Sequence, residues 1–439
     1  MSSSSPKWHV PSSSLWFCFS HILYTSIRFI TMILSQISYL DCIAFLVFLA
    51  PQILIQIGPF PIIKWLVPAL PWLGEYSVYI VSSILMLIVP KVFVIPLQFI
   101  RERLFVPREH RTPFVKKATP FQDLVIRFVR FAFANMPAFI GRTFFSKAVS
   151  LPFLKFRMLR HGFVTSPIRW IEVKRPNFRG VWIVHHQQEQ PDIIVYYCHG
   201  GGFSMGSSFF YMEFLLAWVS LLKSAGYRNP ALFALEYTLV PDETYPTQLH
   251  ETLAGYEYVL SLAQSSTRVV VGGDSAGATL ILSFLLYLSE HSELRHQKPG
   301  LAIMISPWVT IVSRNNRNTA SDYLNSSSLE LYGRQYIGSK ASPTDPMVSP
   351  GYCKDVKKWK EASPEKGWYF LYGSEEVLGP ETRALIELLR ETGKEVEEWE
   401  DKGGIHAWPV ASLYLGETKE ERLGGLKSIV VVIRGRIHS

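Results

Sequence analysis

The chain is poor in cysteine and poor in charge. Its four cysteines, Cys18, Cys42, Cys198 and Cys353, stand far apart in 439 residues. None has the C-x-x-C spacing, so neither a zinc site nor a disulfide framework is supported, and the redox compartment stays open. Charged residues make up only 18% of the chain, against about 25% in ordinary soluble domains. No basic run is interleaved with stacking aromatics, which excludes nucleic acid as the partner behind the net charge of +8. Positive charge gathers instead at Arg101, Arg103, Arg108, Arg111, Lys116 and Lys117, just after an apolar region, as it does beside membrane segments. No internal repeat is apparent. No motif calls for a metal or an organic cofactor.

Apolar residues are plentiful: 48% of the chain is hydrophobic and 14% aromatic. Residues 1–36 read as a Ser/Pro-rich tail with a possible interfacial helix at Leu15–Leu34, which carries His21 and Arg28 and lacks a convincing signal-peptide cleavage site. Residues 37–100 read as a membrane anchor of one or two helices. Lys64 is the lone charge from Cys42 to Leu73, and a second apolar stretch runs from Tyr76 past Lys91 to Ile100. A span needs about 20 apolar residues, which Cys42–Ile57 and its continuation can supply. Pro51, Gly58 and Pro59 permit a kinked or re-entrant path. Residues 101–167, rich in Phe and in basic residues, have spacings that suit amphipathic linker helices. Residues 168–439 read as the main domain, with a Ser-, Asn- and Pro-rich insertion near 309–350. The expected localisation is a membrane. The single sequon Asn325-Ser326-Ser327 hints at a lumenal side, and the basic cluster argues for a cytosolic one.

Within 168–439, eight apolar runs read as strands: Ile168–Val173, Val181–Val184, Ile193–Cys198, Leu232–Glu236, Val269–Gly272, Ile303–Ser306, Trp368–Tyr372 and Val396–Glu400. Helical segments separate most of them. Alternation of this kind implies an α/β fold with a mostly parallel, doubly wound sheet. The first two runs can form a hairpin.

Two of these runs end in glycines. Val269–Gly272 leads into Gly273-Asp274-Ser275-Ala276-Gly277 and then an apolar helix-like segment. Strand, tight turn and helix in that order are what a nucleophile elbow requires, with small residues flanking the serine. Ile193–Cys198 leads into His199-Gly200-Gly201-Gly202-Phe203. Glycines there let backbone N–H groups approach a developing oxyanion. Each piece alone is compatible with an ordinary glycine turn, and the pair in this order is much rarer.

These motifs resemble those of the hormone-sensitive-lipase-like α/β-hydrolases, a branch that includes arylacetamide deacetylases and fungal steryl acetyl hydrolases. Tyr237-Thr238-Leu239-Val240-Pro241, with Tyr245-Pro246 after it, resembles that branch's segment between the two glycine motifs. His406-Ala407-Trp408-Pro409 resembles its catalytic-histidine loop. The resemblance covers Ile168 to the C-terminus. It implies the α/β-hydrolase fold, an eight-stranded sheet under a helical cap, and a carboxylic ester hydrolase with the triad Ser275, Glu376 and His406. It implies an oxyanion hole from the N–H groups of Gly201, Gly202 and Ala276. His199 and Gly200 would organise that loop, while Gly273, Asp274 and Gly277 would shape the elbow, with Asp274 bonded within it. No cofactor and no metal are implied, and an endoplasmic-reticulum membrane is. The acid departs from the family's aspartate, and Glu375 is its rival. Cys198 reads as a buried strand residue. The substrate expected is a short-acyl ester of a bulky hydrophobic alcohol, such as an acetylated sterol or terpenoid. Two alternatives share the motifs: an acyltransferase or tailoring hydrolase of lipophilic metabolites, and a catalytically inactive binding protein.

Overall fold

The computed structural model describes residues 32–56 and 94–437. Most of Leu15–Leu34 and of the second apolar stretch lies outside those residues. Eight strands form one sheet: β1 (Arg169–Arg175), β2 (Phe178–Val184), β3 (Ile193–Cys198), β4 (Pro230–Leu235), β5 (Val269–Asp274), β6 (Leu301–Ile305), β7 (Trp368–Gly373) and β8 (Val396–Asp401). Their spatial order is β1-β2-β4-β3-β5-β6-β7-β8. β2 runs antiparallel to both its neighbours, and every other pairing is parallel. This is the α/β-hydrolase sheet.

The strands form because their residues are β-branched or aromatic and can be covered on both faces. On β3, Ile194, Tyr196 and Cys198 enter the core on one side of the sheet. Ile193, Val195 and Tyr197 enter the core on the other. That alternation is the two-residue period of a strand. β8 closes the edge with Glu397, Glu398, Glu400 and Asp401, charges that discourage another chain from pairing there.

Eleven helices matter below. They are α1 (Tyr39–Gln56), α2 (Pro120–Asn135), α3 (Ala138–Phe144), α4 (Lys147–Arg160), α5 (Met212–Ser224), α6 (Thr247–Leu262), α7 (Ala276–Glu290), α8 (Ser326–Ile337), α9 (Gly379–Glu391), α10 (Trp408–Leu415) and α11 (Lys419–Arg436). α2 starts where Thr119 caps the chain. Its side chain accepts from Gln122 N, Gln122 answers to the Thr119 N–H, and Pro120 fills the first turn. α7 is buried along nearly its whole length, so it can be apolar all round.

Residues 32–38 differ from the expected tail and helix. The stretch is not helical, and Met32 and Leu34 are buried in the core on the α5 side. Met32 N donates to Ser220 Oγ at 3.0 Å, and Ile37 N to Tyr414 O at 2.9 Å. Apolar side chains that find a core and a backbone that finds partners account for the extended path.

Candidate active site

β5 delivers its last residue to the middle of the sheet, and the chain turns there into α7. Ser275 sits at the turn with φ 52° and ψ −119°, a conformation that costs a non-glycine residue on the order of 1–3 kcal/mol. Tertiary contacts hold it. Ser275 N donates to Ile305 O at 3.0 Å, and Ser275 O accepts from Trp308 N at 3.1 Å. A Cβ on Gly277 would lie 2.0 Å from Cys198 O, and one on Gly273 2.7 Å from the same oxygen. Only glycine lets the elbow pack this closely on β3. Cys198 itself is fully buried, and burial pushes its thiol far up, which leaves it inert.

The loop after β3 is held from beneath by Asp274. This carboxylate accepts from Gly200 N at 2.8 Å, Tyr197 OH at 2.7 Å and Tyr211 OH at 2.7 Å. Its bonds therefore leave the elbow and cross to β3, the glycine loop and the chain before α5; the expectation of bonding within the elbow is corrected. Burial raises the Asp274 carboxyl, and the two tyrosines pull it back. Gly201, Gly202 and Phe203 all have positive φ, 109°, 62° and 59°. Among the described residues, the backbone N–H groups of Gly201, Gly202 and Ala276 take no backbone acceptor.

His199 is buried against Tyr237, with ring centroids 4.4 Å apart. Its Nδ1 meets Gly200 O at 2.7 Å, and Tyr237 OH donates to His199 O at 2.9 Å. Burial lowers this histidine to about 4. It stays neutral and bonds within the loop.

His406 has a different partner. Its Nδ1 lies 2.9 Å from Glu376 Oε2. Glu376 Oε1 accepts from Gly373 N at 2.7 Å and Ser306 Oγ at 3.1 Å. Burial lowers His406, but the hydrogen bond and charge of Glu376 outweigh it, and the imidazole ends more basic than a free histidine. Burial in turn raises Glu376, and the imidazole pulls it back. Glu375 faces elsewhere: its side chain meets Ser374 Oγ and Ser321 Oγ, both at 3.3 Å.

The Ser275 turn and the His406 loop both bond to the Ile305–Ser306 segment. Ser275 N bonds to Ile305 O, and the neighbouring Ser306 Oγ accepts from Ala407 N at 2.9 Å. No hydrogen bond joins Ser275 Oγ to His406. Such a bond is often long without substrate.

Three residues that sequence reasoning missed hold this arrangement. Asp322, fully buried, accepts from His406 N at 3.0 Å, Tyr323 N at 2.8 Å and Val377 N at 2.8 Å. It ties the acid loop to the histidine loop through their backbones. Arg130 on α2 donates to Asp322 O at 2.7 Å and Ser321 O at 2.6 Å. Ser306 joins the carboxylate to Ala407. Aromatic rings cover the site. Tyr336 stacks on Phe203 at 3.7 Å, Tyr323 stands edge-on to His406 at 5.8 Å, and a Cβ on Gly202 would touch Tyr332 at 3.1 Å.

A family model described as the alpha/beta hydrolase fold matches residues 195–410, the stretch that holds every group above except Arg130. A Schizosaccharomyces pombe protein named as a candidate steryl acetyl hydrolase, mug81, is 28% identical over 240 residues, which cover 52% of this chain and 62% of that protein. Steryl acetyl hydrolase 1 of Saccharomyces cerevisiae is 25% identical over 239 residues, covering 50% of this chain and 54% of its own length. The chain thus spans less than two thirds of either relative. Among solved structures, a hormone-sensitive lipase from a metagenome library superposes with a TM-score of 0.58 at 22% identity, over 72% of this chain and 98% of that one. That likeness extends to the fold.

Proposed function

The chain belongs to the hormone-sensitive-lipase-like α/β-hydrolases, and from that premise we propose that it is a serine esterase. The observation that carries the reading is the buried His406–Glu376 pair at 2.9 Å beside a serine held at φ 52°. Ser275 Oγ attacks the ester carbonyl while His406 Nε2 takes its proton. Glu376 fixes the imidazole with Nδ1 protonated and stabilises the imidazolium. The carbonyl oxygen gains negative charge and is held by the N–H groups of Gly201, Gly202 and Ala276. His406 then protonates the leaving alkoxide, the alcohol departs, and an acyl-serine remains. Water, activated by the same histidine, releases the acid and restores Ser275.

The substrate is a short-acyl ester of a bulky apolar alcohol, with acetylated sterols or terpenoids as the leading class. Support comes from the aromatic cover of Tyr323, Tyr332 and Tyr336 and from the names of the two fungal relatives. Residues 101–167 and an insertion near 309–350 form the cap over the site and its linker. Arg130, reaching from α2 to the main chain of Ser321 and Asp322, supports that assignment. The enzyme works at a membrane. α1 is apolar over 18 residues, with a mean hydropathy of 1.7, and is largely unburied.

The test is fluorophosphonate labelling of the purified chain, followed by ester hydrolysis. Rates should fall from acetate to octanoate on one alcohol, and rise from ethanol to a sterol at fixed acetate. A preference for long acyl chains on glycerol would overturn the substrate class. Absence of labelling would overturn the enzyme.

A further inference from the structure

Helix α1 turns an apolar face away from the rest of the protein. Its exposed residues include Leu40, Ile43, Leu46, Val47, Leu54 and Ile55, each more than half exposed. At 100° per residue these fall on one half of the helix. The opposite half faces protein through Phe45, Phe48 and Leu49, with polar contacts near its two ends. Asp41 is fully buried, 2.6 Å from Arg160 and 3.2 Å from Arg157 on α4. Gln56 accepts from Thr143 Oγ1 on α3 at 3.3 Å. A helix on the surface of a soluble domain turns a polar face outward instead.

At 18 residues, α1 is about 27 Å long, close to the ~30 Å of a hydrocarbon core. Length alone would suit a span. Its contacts do not. Asp41 in the first turn is tied to α4. In the middle, Phe45 packs on Phe144 at 4.6 Å and on Phe153 at 5.1 Å. Gln56, the last residue, reaches α3. The whole length of α1 is therefore docked side-on to α3 and α4. Those helices carry Arg142 paired with Asp242, and Lys147 paired with Glu172. α4 also brings Arg157, bonded to Glu213 on α5. If α1 crossed a bilayer, this charged body would cross beside it, and each ion in hydrocarbon costs at least ~2.5 kcal/mol.

We propose that α1 is not a span but an in-plane helix, seated in the surface of an anionic bilayer. Its exposed apolar half enters the acyl boundary, and its other half packs on the catalytic body. A second surface points to the same occupant. Residues 94–105 expose Leu97, Ile100, Leu104 and Phe105 at helical spacing. Exposed Arg101 and Arg108 stand within and just after it. Apolar residues beside cations that form no salt bridge among the described residues match the boundary between acyl chains and anionic headgroups. Both surfaces adjoin the start of α2, where Tyr39 packs on Phe121 at 5.2 Å and Arg103 pairs with Asp123 at 2.9 Å. From α3, Arg142 donates to Ser204 O at 3.3 Å, so one helix separates the lipid surface from the oxyanion loop.

Depth measurement decides the matter, and it does not depend on the reaction. The full-length chain, with Cys18 and Cys42 replaced by alanine, is spin-labelled singly through Leu40→Cys, Val47→Cys or Ile55→Cys. Each is bound to phosphatidylcholine–phosphatidylserine vesicles. All three positions are exposed, and an unchanged melting temperature confirms each fold. Seating in the plane predicts one shared depth for the three labels, about 5–10 Å below the headgroups. A deep label at Val47, with Leu40 and Ile55 shallow in opposite leaflets, would overturn the proposal in favour of a span. Labels shielded from both lipid-soluble oxygen and aqueous quencher would overturn it in favour of a face covered by protein.

Discussion

His199 and His406 have similar surroundings and do opposite things. Each is a buried histidine close to a buried carboxylate. In the first loop the acid is Asp274, whose oxygens accept from two tyrosines and from Gly200 N. His199 is left with a carbonyl, and burial brings it down to about 4. In the second loop the acid meets the ring directly, and His406 is raised. A neighbouring carboxylate does not make a histidine a base. It must face the imidazole, and it must be held there by donors to its other oxygen, as Gly373 and Ser306 hold Glu376.

The largest test of that contrast removes each histidine. His406→Ala should lower turnover by about 10⁴- to 10⁶-fold, as should Ser275→Ala, because the two act as a unit. His199→Ala should cost far less in rate and more in melting temperature. Equal rate losses for the two histidines would erase the distinction. The acids come next. Glu376→Gln keeps the shape and removes the charge, and should cost about 10³- to 10⁴-fold in kcat. Glu375→Gln should cost little, since among the described residues its carboxylate meets two serine hydroxyls and no imidazole. The reverse pattern would move the acid by one residue.

The fold was legible where the chain repeats a simple signal. Apolar runs such as Ile193–Cys198 and Trp368–Tyr372 end in glycine or in a histidine-glycine loop, and the sheet uses all eight expected runs. Ser275 and His406 could be picked out because their motifs resemble a known family's, and Glu376 by that family's register against Leu378, with Glu375 as its rival. Asp322 and Arg130 could not. They act on backbone atoms 84 and 192 residues away, and a polar residue in a Ser/Asn/Pro-rich stretch carries no sign of such a partner. The hydropathy of α1 was plain, but hydropathy counts residues and does not say which side faces out. Asp41 and Leu49 mark its protein side, and an uninterrupted apolar run does not display that side.

The Asp274 loop should respond in stability more than in chemistry. Asp274→Asn places an amide NH₂ against groups that all donate: Tyr197 OH, Tyr211 OH and Gly200 N. At least one buried donor then loses its acceptor, at a cost of about 1–3 kcal/mol. Urea unfolding should reveal that loss, with residual turnover still well above that of Ser275→Ala. Full stability in the variant would mean that the carboxylate does not hold the glycine loop.

The smallest effect is the most specific to the comparison. kcat/KM reports the free enzyme, and the base must be neutral to accept the serine proton. Activity should therefore fall as pH drops through the His406 value. That value lies above the ordinary 6.5, because the bond and charge of Glu376 outweigh burial. His199 should add no limb in this range, since at about 4 it is already neutral. In Glu376→Gln the burial remains and the main opposing charge is gone. Asp322 and Asp274 still face the ring region and raise it more weakly. The limb of the residual activity should then move to lower pH, in the direction that His199 already illustrates. If it stays where it was, the basicity of His406 does not come from Glu376. The two histidines would then differ in exposure or loop motion, and not in whether an acid faces them.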